Sequence, residues 1–483
     1  MSLWIVHGPC GHVEIFRVCD ALISTDIRTA LWTRRKMHPI HHLRPHLSST
    51  DRQVLSLAVP ALGALVAEPL FVLVDSSVVG HLGTPQLAGL SLASTILVTI
   101  VGLCVFLAYT TTGAVARRLG AGDRVAALTL GIDGMWLALA LGLVLGGLLF
   151  AFAPALVDAL GAGPDVARHA TRYLHASAPG LPGMLVVLAS TGVLRGLQDT
   201  RTPLVVAASG ALLNAALNVV LVLGLHLGIT GSGAGTAATQ LLMATVLSVI
   251  VVRGAREAGA SLAPAARGIW AGARAGTPLL VRTVSLRAAI ALTVWVATGL
   301  GAVALAGHQV VSSIWSLTAF ALDALAIAAQ AMVGHALGAG DVDHVRAVLR
   351  RTLEWGVGAG VVLGALVGAS AAVLPALFTT DPQVRRAATV ALLVAAVTLP
   401  MAGWVFVLDG VLIGAGDGRY LAAVGMATLV VYAPVALAVR AWAGDGPAGL
   451  AWLWVAFAGV FMLARAVTTG ARARGSAWMV TGT

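Results

Sequence analysis

The 483-residue chain is 58 % hydrophobic and only 10 % charged, with a mean hydropathy of +0.92, whereas a soluble domain carries about 25 % charged residues. This excludes a string of soluble domains and predicts an all-α integral membrane protein. The net charge of +10 suggests a nucleic-acid partner, but the placement of the basic residues argues against one.

In chain order, residues 1–51 form a cytoplasmic leader, read as disordered or mis-started, with Met37 a plausible alternative start. It holds Cys10, Cys19, His7, His12, His38, His41, His42 and His46, in a spacing that fits no zinc pattern, so no metal is expected. It also lacks the apolar core of a signal peptide. A membrane helix takes about 20 apolar residues. The runs 53–79, 86–112, 126–157, 168–194, 203–224, 229–253, 272–300, 305–333, 346–377, 385–413, 418–441 and 446–469 each qualify. Twelve transmembrane helices are therefore predicted.

Of the thirty Lys and Arg, seven precede or open the first helix, and eighteen fall in or near the even-numbered loops, the start of the seventh helix and the tail. Only Arg168, Arg172, Arg385, Arg386 and Arg440 lie on the other side. This is the positive-inside signature, with both termini cytoplasmic. Arg outnumbers Lys twenty-nine to one, as in a high-GC bacterial genome, so a bacterial plasma (inner) membrane is expected.

The chain also repeats itself. LGAGD occurs at 119–123 and at 337–341, an offset of 218. At that offset Pro60 meets Pro278, Pro164 meets Pro382, Pro182 meets Pro400, and 192–194 (Gly-Val-Leu) meets 410–412, with Asp199 on Asp417 and Arg201 on Arg419. The expected organisation is a first lobe over 52–253, a cytoplasmic linker over 254–271, a second lobe over 272–470 and a cytoplasmic tail over 471–483. An even number of crossings makes the two six-helix repeats parallel, and substrate sites in such transporters lie near the midplane between repeats.

Ionisable residues at membrane depth are costly and mark function. Asp133 and Glu354 lie near helix starts, within reach of Arg124 and of Arg350 or Arg351, and read as structural. Glu68 and Asp75 are seven residues apart, two turns of the first helix, and share a face. Pro60 and Pro69 permit that helix to bend. A carboxylate there can take a proton from one side and release it to the other. Asn214 and Asn218, at i and i+4 on the fifth helix, also share a face and can hydrogen-bond such a carboxylate; interhelical polar packing is the alternative. Asp323 and Asp409 are the second lobe's acids, and their counterparts at offset 218, Val105 and Thr191, are not acidic. His308 and Gln309 read as interfacial, and Trp295, Trp315, Trp404, Trp452 and Trp454 as lipid anchors. The chain has no Walker A, GxSxG or HExxH motif, so no enzyme and no cofactor is expected.

The segments LVDSSVVGHLG at 73–83, ARRLGAGD, LRGLQDTRTPL, the paired Asn, ALDALAIAAQAMVGHALGAGD at 321–341 and VLDGVLIGAGD together resemble the multidrug and toxic compound extrusion (MATE) transporters, most nearly the DinF-type bacterial branch, over about residues 52–470. The resemblance implies a V-shaped twelve-helix antiporter that exports cationic or amphipathic small molecules against inward H⁺ or Na⁺. It maps the coupling acid onto Asp75 and the helix bend onto Pro60. It also predicts an acid where Asn218 stands and a Glu where Gln330 stands. Both departures favour H⁺ over Na⁺, with Glu68 tuning Asp75, and Asp323, Asp409 and Gln330 as secondary polar or substrate contacts. A monomer in the lipid bilayer is expected, with no nucleic-acid partner. The alternative is a lipid or glycolipid flippase of the same superfamily, which would need a basic cleft; Arg282 and Arg287 are the candidates for one.

Overall fold

The computed structural model describes residues 48–444 and 446–482; the leader reading for 1–47, with its Cys and His residues, lies outside the described residues. Among the described residues, twelve helices are long and apolar enough to cross a bilayer. They are α1 (Ser49–Gly80), α2 (Thr84–Gly120), α3 (Arg124–Ala159), α4 (Pro164–Gly196), α5 (Arg201–Gly224), α6 (Gly228–Glu257), α7 (Ala266–Gly299), α8 (Ala302–Gly338), α9 (Val342–Ser370), α10 (Pro382–Gly414), α11 (Gly418–Trp442) and α12 (Pro447–Arg474). Each corresponds to one of the twelve expected runs, although α9 stops at Ser370, short of the expected end at 377, where a separate turn covers Leu374–Leu377. Helix also extends into the expected linker from both ends, leaving only 258–265 between α6 and α7.

The duplicated LGAGD string has a local cause. Gly122 and Gly340 adopt φ of +80° and +74°, a left-handed conformation that ends a helix and that glycine reaches without a Cβ penalty. The following Asp123 and Asp341 cap the next helices by accepting from Ala126 N at 2.8 Å and His344 N at 2.9 Å. One five-residue motif therefore stops α2 or α8 and starts α3 or α9.

The repeat extends to the packing. Lipid gives helices no hydrophobic reason to associate, so close approach at small residues holds them. A Cβ added at Gly142 would lie 2.5 Å from Pro182 Cα, and one at Gly360 would lie 2.7 Å from Pro400 Cα. Gly192 abuts the Ala108 carbonyl, and Gly410 abuts that of Ala326. Each pair is its counterpart shifted by 218. Between the halves the relation becomes reciprocal: Gly120 of α2 touches the His335 carbonyl of α8, and Gly338 of α8 touches the Arg117 carbonyl of α2. Residues 117 and 335 also differ by 218, as a pseudo-two-fold axis along the membrane normal requires. Two parallel six-helix repeats form the molecule.

By helix parity, loops 121–123, 197–200, 258–265, 339–341 and 415–417 share one side, called here the linker side. The halves are closed on each other there. Arg117 Nη2 donates to the Ala415 carbonyl at 2.5 Å. Fully buried Asp51 of α1 accepts from Arg351 of α9, Nε at 2.5 Å and Nη2 at 2.9 Å, and from Trp355 Nε1 at 2.8 Å. At the position 218 residues before Arg351, Asp133 of α3 accepts from the backbone N of Ala265, the N-cap of α7, at 3.1 Å. The acid expected to meet Arg124 thus anchors the start of α7, because that helix end presents free N–H groups. Trp136 Nε1 joins it by donating to the Leu262 carbonyl at 3.1 Å. Glu354 pairs with Arg350 and Arg351 as its spacing suggested. Beyond α12, Trp478 is buried in the core and Gly482 N donates to the Leu337 carbonyl at 3.1 Å, so the end of the chain packs onto α8.

Candidate functional site

Asp75 lies on α1 with its carboxylate buried in the first half. Oδ1 accepts from Asn214 Nδ2 and Asn218 Nδ2, both at 2.6 Å. Oδ2 accepts from Thr236 Oγ1 of α6 at 3.2 Å and from the Tyr173 hydroxyl of α4 at 3.4 Å. Tyr173 and Thr236 also hydrogen-bond each other at 3.2 Å. The i, i+4 spacing brings both amides to one carboxylate oxygen. The last six residues of α5, Val219–Gly224, form a π-turn directly after Asn218, an irregularity frequent at functional sites. Gly233 lets α6 approach α4: a Cβ there would lie 2.8 Å from the Tyr173 carbonyl. That contact sets Thr236 beside the Tyr173 ring.

Tyr173 and Thr236 escaped the sequence reading because no spacing links three separate helices. The small-residue run GSGAGT at 231–236 was the available signal for close approach. Among the described residues, no Arg, Lys or His forms an ion pair with Asp75, whose hydrogen-bond donors are all neutral. The other oxygens of the two amides, Asn214 Oδ1 and Asn218 Oδ1, are buried without partners, as is Ser232 Oγ nearby on α6.

Glu68 does not join this cluster. Although two turns from Asp75 on a helix containing Pro60 and Pro69, it is exposed and lies within electrostatic reach of Arg287 on α7. Arg287 itself packs its guanidinium against Gly102 of α2, beside the interruption at Cys104–Val105 that splits α2 into Thr84–Leu103 and Phe106–Gly120. The two groups face the space between the halves.

The second half has lost the equivalent site. At offset 218, Asp75 becomes Thr293, Asn214 becomes Tyr432, Asn218 becomes Ala436 and Thr236 becomes Trp454. Thr293 Oγ1 and the Tyr432 hydroxyl hydrogen-bond each other at 2.6 Å. Rings fill the remainder: Trp454 lies 5.8 Å from Trp315, 5.7 Å from Phe457 and 5.7 Å from His308. Two readings are corrected here. His308 is buried inside α8 and is not interfacial, and Trp454 is a core residue with 1 % exposure. Side chains from α8, α11 and α12 fill the space that Asp75 and its partners occupy in the first half. Trp295 and Trp452 are exposed, as lipid-facing anchors would be, with Arg440 stacked on Trp295.

The acids of the second half belong to a separate charged group. Asp409 of α10 pairs through one oxygen with Arg282 of α7 at 2.5 Å and with Arg465 of α12. Asp323 of α8 and Arg195 of α4 lie within electrostatic reach of each other. Gln330 Nε2 crosses between halves to the Tyr109 carbonyl at 2.8 Å. Asp323, Asp409, Arg195 and Arg282 all act on Tyr109, which marks the centre of the group. The expectation that Arg282 and Arg287 were the basic candidates is therefore incomplete. Arg195 and Arg465, counted as loop and tail charges, point inward.

The sequence profile of the MatE family matches residues 60–220 and again residues 278–438, the two matches displaced by 218. Similar proteins include Protein DETOXIFICATION 44, chloroplastic, of Arabidopsis thaliana, 30 % identical over 81 % of this chain and 77 % of that protein. DNA damage-inducible protein F of Escherichia coli is 28 % identical over 88 % of this chain and 92 % of that one. Relatives of more than one branch match at similar identity, so these likenesses define the family and not the branch. A solved multidrug resistance MATE family transporter of the MOP superfamily, in an outward-facing conformation, superposes with a TM-score of 0.80 at 20 % identity, covering 89 % of this chain and 97 % of that one. With the profile covering well over half of its residues, the chain belongs to the MatE family of multidrug efflux transporters.

Proposed function

We propose that this protein is a proton-coupled antiporter, exporting cationic or amphipathic small molecules as the halves 52–253 and 272–470 alternate access to a site between them. Asp75 is the principal protonation site. The observation that carries this reading is a buried carboxylate held only by neutral donors from three other helices. Ionised, it is an isolated charge at membrane depth, a costly state. Protonated, it is neutral and one of its oxygens becomes a donor, so the donors on that oxygen must turn or leave, the Thr236 and Tyr173 hydroxyls at Oδ2 or the two amides at Oδ1, and α1 can change its bend at Pro60 or Pro69. The arginine distribution supports a cytoplasmic linker side and insertion in the bacterial inner membrane; the conformation described above is then closed toward the cytoplasm.

Na⁺ is the weaker coupling ion. Asn218 supplies no second carboxylate, and both amides turn Nδ2, not Oδ1, toward Asp75. A proton moving through 100 mV contributes about 2.3 kcal/mol, enough for a gradient of about fifty-fold in one-for-one exchange with a neutral substrate; exchange for a monovalent cation is electroneutral and draws on ΔpH alone. The test is export of a cationic dye from vesicles under imposed ΔpH or ΔNa⁺. Wild type should respond to ΔpH, and Asp75→Asn should not. Full ΔpH-driven export by Asp75→Asn would refute the mechanism. The flippase reading gains from Arg195 and Arg465, since a lipid phosphate needs a basic cleft, and movement of a labelled phospholipid in the same vesicles separates the two.

A further inference from the structure

The charged group around Tyr109 has a composition that the proton site does not explain. It holds Arg195, Arg282 and Arg465 against Asp323 and Asp409, three cations and two carboxylates. Asp409 is shared by Arg282 and Arg465, whose side chains are each 11 % exposed. The Arg195 side chain forms no hydrogen bond or ion pair with any described residue; its electrostatic neighbours are Tyr109 and Asp323. Arg195 and Asp323 are both only partly buried. Two of the three cations share Asp409, so the group as a whole carries an excess of one positive charge, with Arg195 the cation whose side chain has no ion-pair partner among the described residues.

The location matters as much as the charge. Arg195 is the penultimate residue of α4, and its neighbours Gly192 and Gly196 pack on α2 at Ala108 and at Thr112 and Val115. Arg195 and Tyr109 belong to the first half, and Arg282, Asp323, Asp409 and Arg465 to the second. Motion of one half against the other changes the distance from Arg195 to Asp323, while the triad of Arg282, Asp409 and Arg465 moves as a unit. Glu68 and Arg287, which interact across the halves, are a balanced pair and leave the excess unchanged.

We propose that this group is a substrate subsite for an acidic function, a carboxylate or phosphate on an amphipathic molecule, with Arg195 as its principal contact and Arg282 and Arg465 supporting the field. This rests on the transport reading above and deepens it by naming a chemical class. The anion neutralises the odd cation and competes with Asp323 for Arg195. Arg195 therefore sets specificity, and Asp75 sets coupling.

The probes are dansyl-phenylalanine, an anion at neutral pH, and its neutral methyl ester, bound at equilibrium to the full chain in detergent, where no proton gradient exists. Wild type should bind the acid more tightly than the ester. Arg195→Ala should weaken the acid by about tenfold or more, the loss expected for a charged hydrogen bond, and leave the ester unchanged. Arg195→Lys should keep part of the preference. Equal affinity of wild type for acid and ester, or an equal loss of both in Arg195→Ala, overturns the proposal. Should Arg195→Ala not fold, the preference of wild type and its screening by salt still decide. A second arm follows fluorescent phosphatidic acid against phosphatidylcholine in vesicles. Arg195-dependent movement of the former, with no dansyl-phenylalanine binding, supports the subsite and assigns the anion to a lipid headgroup. If acid preference survives while ΔpH drives no transport, the coupling mechanism fails and the subsite stands.

Discussion

The reciprocal crossing of α2 and α8 yields a prediction about conformational equilibrium. In the linker-side-closed state a Cβ at Gly120 falls on the His335 carbonyl and 3.0 Å from its Cα, and a Cβ at Gly338 falls on the Arg117 carbonyl and 3.0 Å from its Cα. The obstructing atoms are backbone, so no rotamer change relieves either clash and the helices must separate. Overpacking of this kind costs about 1–3 kcal/mol, or a factor of about 5 to 140 in the ratio of closed to open states. Alanine also raises helix propensity by up to about 1 kcal/mol, but that gain applies in both states and cancels in the ratio. Gly120→Ala and Gly338→Ala should each favour opening on the linker side. The double variant should add less than the sum, because one separation relieves both contacts. Nitroxide labels on cysteines at the exposed Ala121 and Ala339, with the native cysteines replaced, report the change by electron–electron dipolar spectroscopy. Distance distributions unchanged in both single variants, or fully additive shifts in the double variant, would refute the reasoning.

Three further outcomes are expected. Arg351→Asp should place like charge beside Asp51 and raise modification of cysteines introduced at buried linker-side positions; the swap Asp51→Arg/Arg351→Asp should reverse this only partly, since Trp355 Nε1 then loses its Asp51 acceptor. Asn218→Asp puts a second carboxylate within hydrogen-bond distance of Asp75, a pair that must share a proton or hold a cation, so export driven by ΔNa⁺ should appear where wild type shows none. Tyr173→Phe removes the longest of the Asp75 contacts, 3.4 Å, and should slow ΔpH-driven export by less than Asn214→Ala, which removes one at 2.6 Å.

How far the fold could be read in advance follows from the range of the forces involved. Hydrophobic runs and the positive-inside charges act locally along the chain, so twelve spans were legible. The duplication was legible because glycines at helix contacts leave little choice of residue: Gly192 and Gly410 repeat because both face a neighbouring backbone. Asp75, Asn214 and Asn218 could be nominated from face and spacing. Tyr173 and Thr236 could not, since their meeting depends on how α4 and α6 pack. Arg195 misled because a charge close to a helix end in sequence resembles a loop charge. Its electrostatic neighbours, Tyr109 and Asp323, lie on other helices and cannot be read from its place in the chain. His308 misled in the same way, seven residues into its helix and yet buried.

The contrast between what the two halves share and what they do not bears on mechanism. The glycine contacts and loop caps recur at offset 218, and they govern how helices slide and turn, so each half inherits the same mechanical path. The chemistry at equivalent depth differs: Asp75 with two amides and two hydroxyls on one side, Thr293 with Tyr432 and a ring cluster on the other. On the proposed mechanism a proton bound at Asp75 biases the first half directly, whereas the second half, lacking an equivalent acid, must be moved through contacts between halves. Those contacts are the crossing of α2 and α8, the Gln330–Tyr109 bond and the charges around Arg195. A substrate that engages Arg195 therefore acts on the joint through which the proton's effect must pass, and competition between the two need not require a shared binding site.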